Sequence, residues 1–190
     1  MFIQTEATPN PQVLKFLPGK DVYPDGSRDF RDAGEAEASP LAAELFAIDG
    51  VERVFFGGDF VTVGKGADRD WALLKAPILA AIMDHYTAGR PLFREGEAAA
   101  GHTEGAYEGD VAQIVAEIKD LLDTRIRPAV AQDGGDILFE RFDPADGVVY
   151  LNMKGACSGC PSSTATLKAG VENLLKHYVP EVTRVEQAAA

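Results

Sequence analysis

The run Glu95-Gly96-Glu97-Ala98-Ala99-Ala100-Gly101-His102-Thr103-Glu104-Gly105 holds small residues and acids and no apolar periodicity. That is the composition of a linker, not of a packed element. A chain of 190 residues interrupted at its middle must bury two small cores in place of one large one. The expected organisation is an N-terminal unit at 1–94, a linker at 95–107, a C-terminal unit at 108–186 and a frayed tail at 187–190. The expected fold class is α+β: two small α/β-layer domains joined by a flexible linker.

In the first unit, Phe2–Glu6 and Val13–Leu17 read as strands, with Thr8-Pro9-Asn10-Pro11 forced into an extended or turning loop between them. The polar stretch from Lys20 to Glu37 reads as loop. Ser39-Pro40 offers a hydroxyl N-cap with Pro at the first helical position, predicting a helix to about Ala47. Val51–Phe56, Gly58-Asp59 and Phe60–Val63 read as a hairpin. Pro77 predicts a break: a short turn at Asp70–Leu74, then a helix to about Ala88 that buries Ile78, Ile82 and His85 or Tyr86. Trp71 reads as a packing anchor.

In the second unit, Val111, Ile114, Val115, Ile118, Leu121, Leu122 and Ile126 keep helical spacing, and Pro128 lies inside or near the helix end. Asp133-Gly134-Gly135-Asp136 reads as a tight turn, with a cation site the lesser reading. Ile137–Phe142 and Val148–Met153 read as strands. A helix bearing Leu167, Val171, Leu174, Leu175 and Tyr178 follows and ends at Val179-Pro180. Val182–Val185 reads as a last strand.

Between the strand ending at Met153 and that helix lie the only two cysteines, in Cys157-Ser158-Gly159-Cys160. Two thiols make half of a four-thiolate metal site or one dithiol/disulfide couple, and too few for a disulfide framework. Gly155 and Gly159 permit a tight backbone turn. Pro161 suits a helix start, with Ser162 or Ser163 as N-cap, and Lys154 can add positive charge. A helix N-terminus at this place favours thiolate, so both cysteines are expected as thiolates. One chain offers few further ligands. His177 stands about 22 Å along the following helix at 1.5 Å per residue, His85 falls on a packed helix, and His102 lies in the linker. A second copy of Cys157 and Cys160 across a twofold axis would supply four thiolates, the number that [4Fe–4S] and [2Fe–2S] clusters take. A zinc-bridged dimer and a thioredoxin-like dithiol/disulfide oxidoreductase are the other readings of the motif.

The stretch from Gly155 to Lys168, Gly-Ala-Cys-Ser-Gly-Cys-Pro-Ser-Ser-Thr-Ala-Thr-Leu-Lys, resembles the signature of the NifU C-terminal domain. Asp133-Gly134-Gly135-Asp136 and Val179-Pro180-Glu181-Val182 fall where that family has similar residues. The first half is similar to the Nfu N-terminal domain through Thr8-Pro9-Asn10-Pro11, Lys15-Phe16 and Gly58-Asp59-Phe60-Val61-Thr62-Val63. The resemblance implies an iron–sulfur carrier that binds a [4Fe–4S] cluster between two protomers, with [2Fe–2S] as a further possibility. It makes Cys157 and Cys160 the ligands. The implied partners are a second copy when loaded, an upstream assembly scaffold, and apo iron–sulfur client proteins. The additional cysteines of longer NifU scaffolds are missing.

Composition closes off other classes. A formal net charge of −12, spread over both halves, lacks the Lys/Arg clusters that neutralise nucleic-acid phosphates. No apolar run reaches the roughly 18 residues of a membrane span. Met1–Pro11 has no basic region followed by an apolar core, so no signal peptide is expected there. The expected compartment is reducing: bacterial cytoplasm, or an organelle matrix if a transit peptide has been removed. With three histidines and no Ser/His/Asp grouping, the sequence shows no catalytic constellation and reads as a non-enzyme.

Overall fold

The computed structural model describes residues 2–96, 105–157 and 161–188, with secondary structure alone for 161–163. It divides into two compact units, Met1–Ala100 and Gly101–Ala190. Of the linker expected at 95–107, residues 97–104, His102 among them, lie outside the described residues.

The first unit is a five-stranded antiparallel sheet in the order β1-β2-β5-β4-β3. Its strands are β1 (Gln4–Ala7), β2 (Val13–Leu17), β3 (Arg28–Phe30), β4 (Val51–Phe56) and β5 (Val61–Lys65). Leu14 and Phe16, Val61 and Val63, and Val54 and Phe56 alternate onto one face. There they join a core with the helices α2 (Pro40–Phe46) and α3 (Trp71–Thr87). The Ser39 cap forms as expected: its Oγ accepts the Ala42 N–H at 3.3 Å and donates to the Leu92 carbonyl at 2.5 Å.

Two expectations fail in this unit. Lys20–Glu37 is not all loop, since β3 and a helical turn α1 (Ala33–Ala36) lie within it. β3 carries no apolar alternation and exists because it pairs with β4, Phe30 against Val54. α1 is nucleated by Asp32, whose carboxylate accepts the Glu35 N–H at 2.9 Å. The break expected at Pro77 is also absent, because α3 runs through it. Pro77 frees only the Leu73 carbonyl, on the 78% exposed side of the helix, where water can serve it. Ile78, Ile82 and His85 are buried as read. Trp71 packs against the core's edge and donates its indole N–H to the Pro11 carbonyl at 3.0 Å.

The second unit opens with α4 (Gly109–Leu121), a π-helical turn (Leu122–Ile126) and α5 (Arg127–Gln132). A three-stranded sheet follows, β6 (Gly135–Asp143), β7 (Val148–Gly155) and β8 (Arg184–Gln187), with α6 (Pro161–Tyr178) ahead of β8. β6 and β7 are antiparallel; β7 and β8 are parallel, with α6 as the crossover. The π turn has a cause in the sequence. Ile118, Leu122, Ile126 and Val130 are all buried. Three steps of four residues rotate an α-helix about 1,200°, roughly 120° beyond three full turns, so the seam would drift off the core. The residue inserted by the π turn returns about 100° of that drift. Its closing bond, Arg127 N–H to the Leu122 carbonyl, sits just ahead of Pro128, which has no N–H to contribute.

Two local readings are corrected by the second unit. Gly135 and Asp136 belong to β6 and are not part of a turn. Tyr178 ends α6 and is 42% exposed, while Val179 after it is buried. The expected tail is tied down in part: Gln187 pairs with Leu151, and the Ala188 N–H donates to the Leu151 carbonyl at 2.9 Å. Among the described residues no helix is long and apolar enough to cross a membrane.

Candidate functional site

Cys157 follows the open end of the β6–β7 hairpin. Gly135 and Gly155 face each other as the last register pair, with Asp136 opposite Lys154 next to them. The chain turns sharply at two glycines, Gly134 with φ 79° and Gly155 with φ 65°, a region that other L residues rarely adopt. The Ala156 N–H donates back to the Gly134 carbonyl at 3.1 Å. This brings Cys157 over Gly135 so closely that a Cβ there would stand 2.5 Å from the sulfur and 2.8 Å from the Lys154 carbonyl oxygen. From the other side, Thr164 of α6 donates its hydroxyl to the Cys157 carbonyl at 2.8 Å. Cys160, with Ser158 and Gly159, lies outside the described residues. The N-cap expected at Ser162 or Ser163 is corrected, since α6 begins at Pro161 and both serines fall within the helix.

A charged cluster supports the turn. Arg127, the first residue of α5, forks onto Asp136, Nε–H to Oδ1 at 2.8 Å and a terminal N–H to Oδ2 at 2.9 Å. Its third bond goes to Asp123 at 2.8 Å. Asp136 is buried, and its Oδ1 also accepts the Ile137 N–H at 2.8 Å. The Asp136 hydrogen bond is the main reason the Arg127 guanidinium is held above its ordinary value. Arg127 was not singled out in the sequence, and Asp136 was read there as a turn residue or a lesser cation ligand. Arg-Pro at the end of a four-spaced apolar seam was the available signal.

The ionisation expected of Cys157 is overturned. The thiol is 7% exposed, and burial, followed by the charges of Asp133 and Asp136, pushes it up to about 12. It is therefore held as a neutral thiol. Whatever the start of α6 contributes is outweighed by desolvation and two nearby carboxylates. Lys154, expected as a source of positive charge, is itself buried at 7% exposure.

Among the described residues, His177 is the histidine of this unit. His177 is in the last turn of α6 with its ring against Tyr178, centroids 4.9 Å apart. His85 is buried in the first unit, and among the described residues its Nδ1 has no hydrogen-bond partner. Among the described residues no group of three His, Cys, Asp or Glu side chains could hold a metal ion. The cation site considered at Asp133–Asp136 thus finds no third ligand there, and Asp136 is spent on Arg127.

Two family descriptions match the chain: "Scaffold protein Nfu/NifU N terminal" over residues 3–89 and "NifU-like domain" over residues 118–186. NifU-like protein 4, mitochondrial, of Arabidopsis thaliana is 57% identical over 98% of this chain and 66% of its own length. The NFU1 iron-sulfur cluster scaffold homolog, mitochondrial, of Homo sapiens is 52% identical over 98% of this chain and 72% of its own. The chain thus spans about two thirds of these relatives. The solution structure of a NifU-like protein from Saccharomyces cerevisiae covers 50% of this chain and 86% of its own at 26% identity, with a TM-score of 0.46.

Proposed function

We propose, since this chain belongs to the Nfu/NifU family, that it is an iron–sulfur cluster scaffold and carrier. Its cargo is a [4Fe–4S] cluster held by Cys157 and Cys160 together with the same pair on a second copy, and handed to apo-proteins. The observation that carries this reading is the thiol inventory. The chain has two cysteines, both in one four-residue stretch, and the described part of that stretch sits at the mouth of a hairpin beside a helix start. A cluster of this type takes four thiolates, and a twofold partner doubles two into four. A [2Fe–2S] cluster would use the same four sulfurs.

Cargo binding replaces the Cys157 proton with iron. Lifting the thiol from 9.0 to about 12 makes ionisation costlier by about 4 kcal/mol, which the iron–sulfur bond must outweigh. Such an offset favours a carrier that gives its cargo up. A dithiol/disulfide oxidoreductase requires the opposite, a first cysteine ionised near neutrality.

The N-terminal unit at 1–94 is the part that docks clients or shields the cluster, and the linker at 95–107 supplies reach. An upstream scaffold delivers the cluster. No catalytic step is assigned to any residue. Of the two reducing compartments, the mitochondrial names of the relatives favour an organelle matrix.

Anaerobic reconstitution with iron and sulfide tests the reading. The loaded protein should be a dimer with about four irons and four sulfides, and Cys157→Ser or Cys160→Ser should abolish loading. A cluster held tightly by the Cys160→Ser chain, or a colourless dimer that takes only zinc, would overturn it.

A further inference from the structure

We propose that Arg127 and Asp136 are the positioning pair of the cysteine site: their fork fixes the Gly134–Gly135 backbone on which the Cys157 sulfur rests, and so sets where that sulfur meets cargo. The proposal deepens the carrier reading and rests on it for the word cargo. The path is short and continuous. The π turn rotates the helix after it by about a third of a turn, which brings Arg127 to face the start of β6. Both carboxylate oxygens of Asp136 are engaged by the guanidinium. The same carboxylate accepts the Ile137 N–H, so it can neither slide nor rotate. Gly135 is the adjacent residue, and the sulfur lies against it at a distance that leaves no space for a Cβ. Across the register, Asp136 and Lys154 hold the strand whose next residues are Gly155, Ala156 and Cys157. Fixing Asp136 therefore fixes both strands that lead to the sulfur.

The geometry calls for a fork and not merely a positive charge. A planar guanidinium binds two oxygens at a set angle, whereas a Lys ammonium is a point charge that restrains neither. Asp123 holds the third guanidinium bond and keeps Arg127 from swinging toward solvent. Support of ligands by such neighbouring groups commonly amounts to about 10–100-fold in metal affinity.

The test compares Arg127→Lys and Asp136→Asn with the unsubstituted chain, under conditions where thermal unfolding shows each to be folded. The first readout uses metal-free protein: the rate at which a small maleimide modifies Cys157 at one fixed pH, followed by peptide mass spectrometry. The second is the visible circular dichroism of the reconstituted cluster and its rate of loss to a chelator. Arg127→Lys should raise the Cys157 rate about tenfold or more, alter the dichroism, and speed chelator loss by about 10–100-fold. Asp136→Asn, nearly isosteric, should alter the dichroism and speed chelator loss in the same way and serves by those two readouts if Arg127→Lys does not fold, since losing the Asp136 charge by itself raises the Cys157 rate. Variants that lose melting temperature while keeping the wild-type Cys157 rate and dichroism would reduce the pair to a structural brace and overturn the proposal. A changed Cys157 rate in a protein that never takes up iron would uphold the positioning and defeat the carrier reading instead.

Discussion

Gly135→Ala places one methyl group where the Cys157 sulfur now rests. The added Cβ would lie 2.5 Å from Sγ, 3.2 Å from the Cys157 Cβ and 2.8 Å from the Lys154 carbonyl oxygen. Ordinary contact between heavy atoms needs about 3.5–4.0 Å, so the sulfur must retreat by about 1 Å or more. The Lys154 oxygen belongs to the β6–β7 ladder and cannot give without opening the hairpin end. Overpacking of this kind costs about 1–3 kcal/mol. In a unit of this size that is a loss of about 4–8 °C per kcal/mol in the unfolding of the C-terminal half. Reactivity should move the other way. With the thiol at about 12, its thiolate fraction at pH 7 is about 10⁻⁵, against about 10⁻² for a thiol at 9.0, so alkylation should be about a thousandfold slower than in denaturant. Timed iodoacetamide labelling of the reduced, metal-free chain, resolved by peptide mass, measures that ratio. Gly135→Ala should recover at least about a tenfold share of it by pushing the sulfur toward solvent. The reasoning is refuted if Cys157 of the folded wild type labels as fast as in denaturant, or if the substitution leaves labelling and melting unchanged.

Three more expectations follow from the same structure. A thiol raised on folding leaves stability intact below pH 9. Between pH 9 and about 12 the unfolded chain ionises and the folded one does not, which removes about 1.4 kcal/mol per pH unit; Cys157→Ala should flatten that stretch of a denaturation–pH profile. His85 has the reverse sign, its burial lowering it from 6.5: stability of the first unit should fall as pH drops below that value, at no more than about 1.4 kcal/mol per unit, and His85→Phe should remove the slope. Pro77→Ala restores a hydrogen bond to the Leu73 carbonyl within α3 and should stabilise the first unit by about 1–3 kcal/mol, read as a higher denaturant midpoint; a lower midpoint would mean that Pro77 has a packing role.

Much of the fold was legible because its determinants are local. Ser39-Pro40 announces α2, and the apolar run from Val111 to Ile126 announces its helix. Gly134 and Gly155 mark the bends that bring the hairpin end to the cysteine. What escaped reading is set by distant partners. β3 has only Phe30 as an apolar residue and is a strand by virtue of Val54 and Phe56 across the ladder. Pro77 looked like a break because the sequence does not show that Leu73 faces water. The fully four-spaced seam through Ile118, Leu122, Ile126 and Val130 encoded the π turn, but reading it requires knowing that all four are buried. The same holds at the site. The two cysteines could be named as ligands by resemblance, while the state of Cys157 depends on Gly135, Asp133 and Asp136, brought to it only when β6 pairs with β7.

The parallel pairing of β7 with β8 has a consequence for how the chain is made. Synthesis runs from β7 through the cysteines and α6 before it reaches β8, so Cys157 leaves the ribosome ahead of the strand that completes the core it belongs to. The first unit contains all its strands and helices by Thr87 and can close early. The second must wait for Val182 and Val185, which belong to the same core as Cys157. Until then the core that Cys157 belongs to is incomplete. Oxidant or adventitious metal met in that interval therefore meets a sulfur whose core is still unfinished.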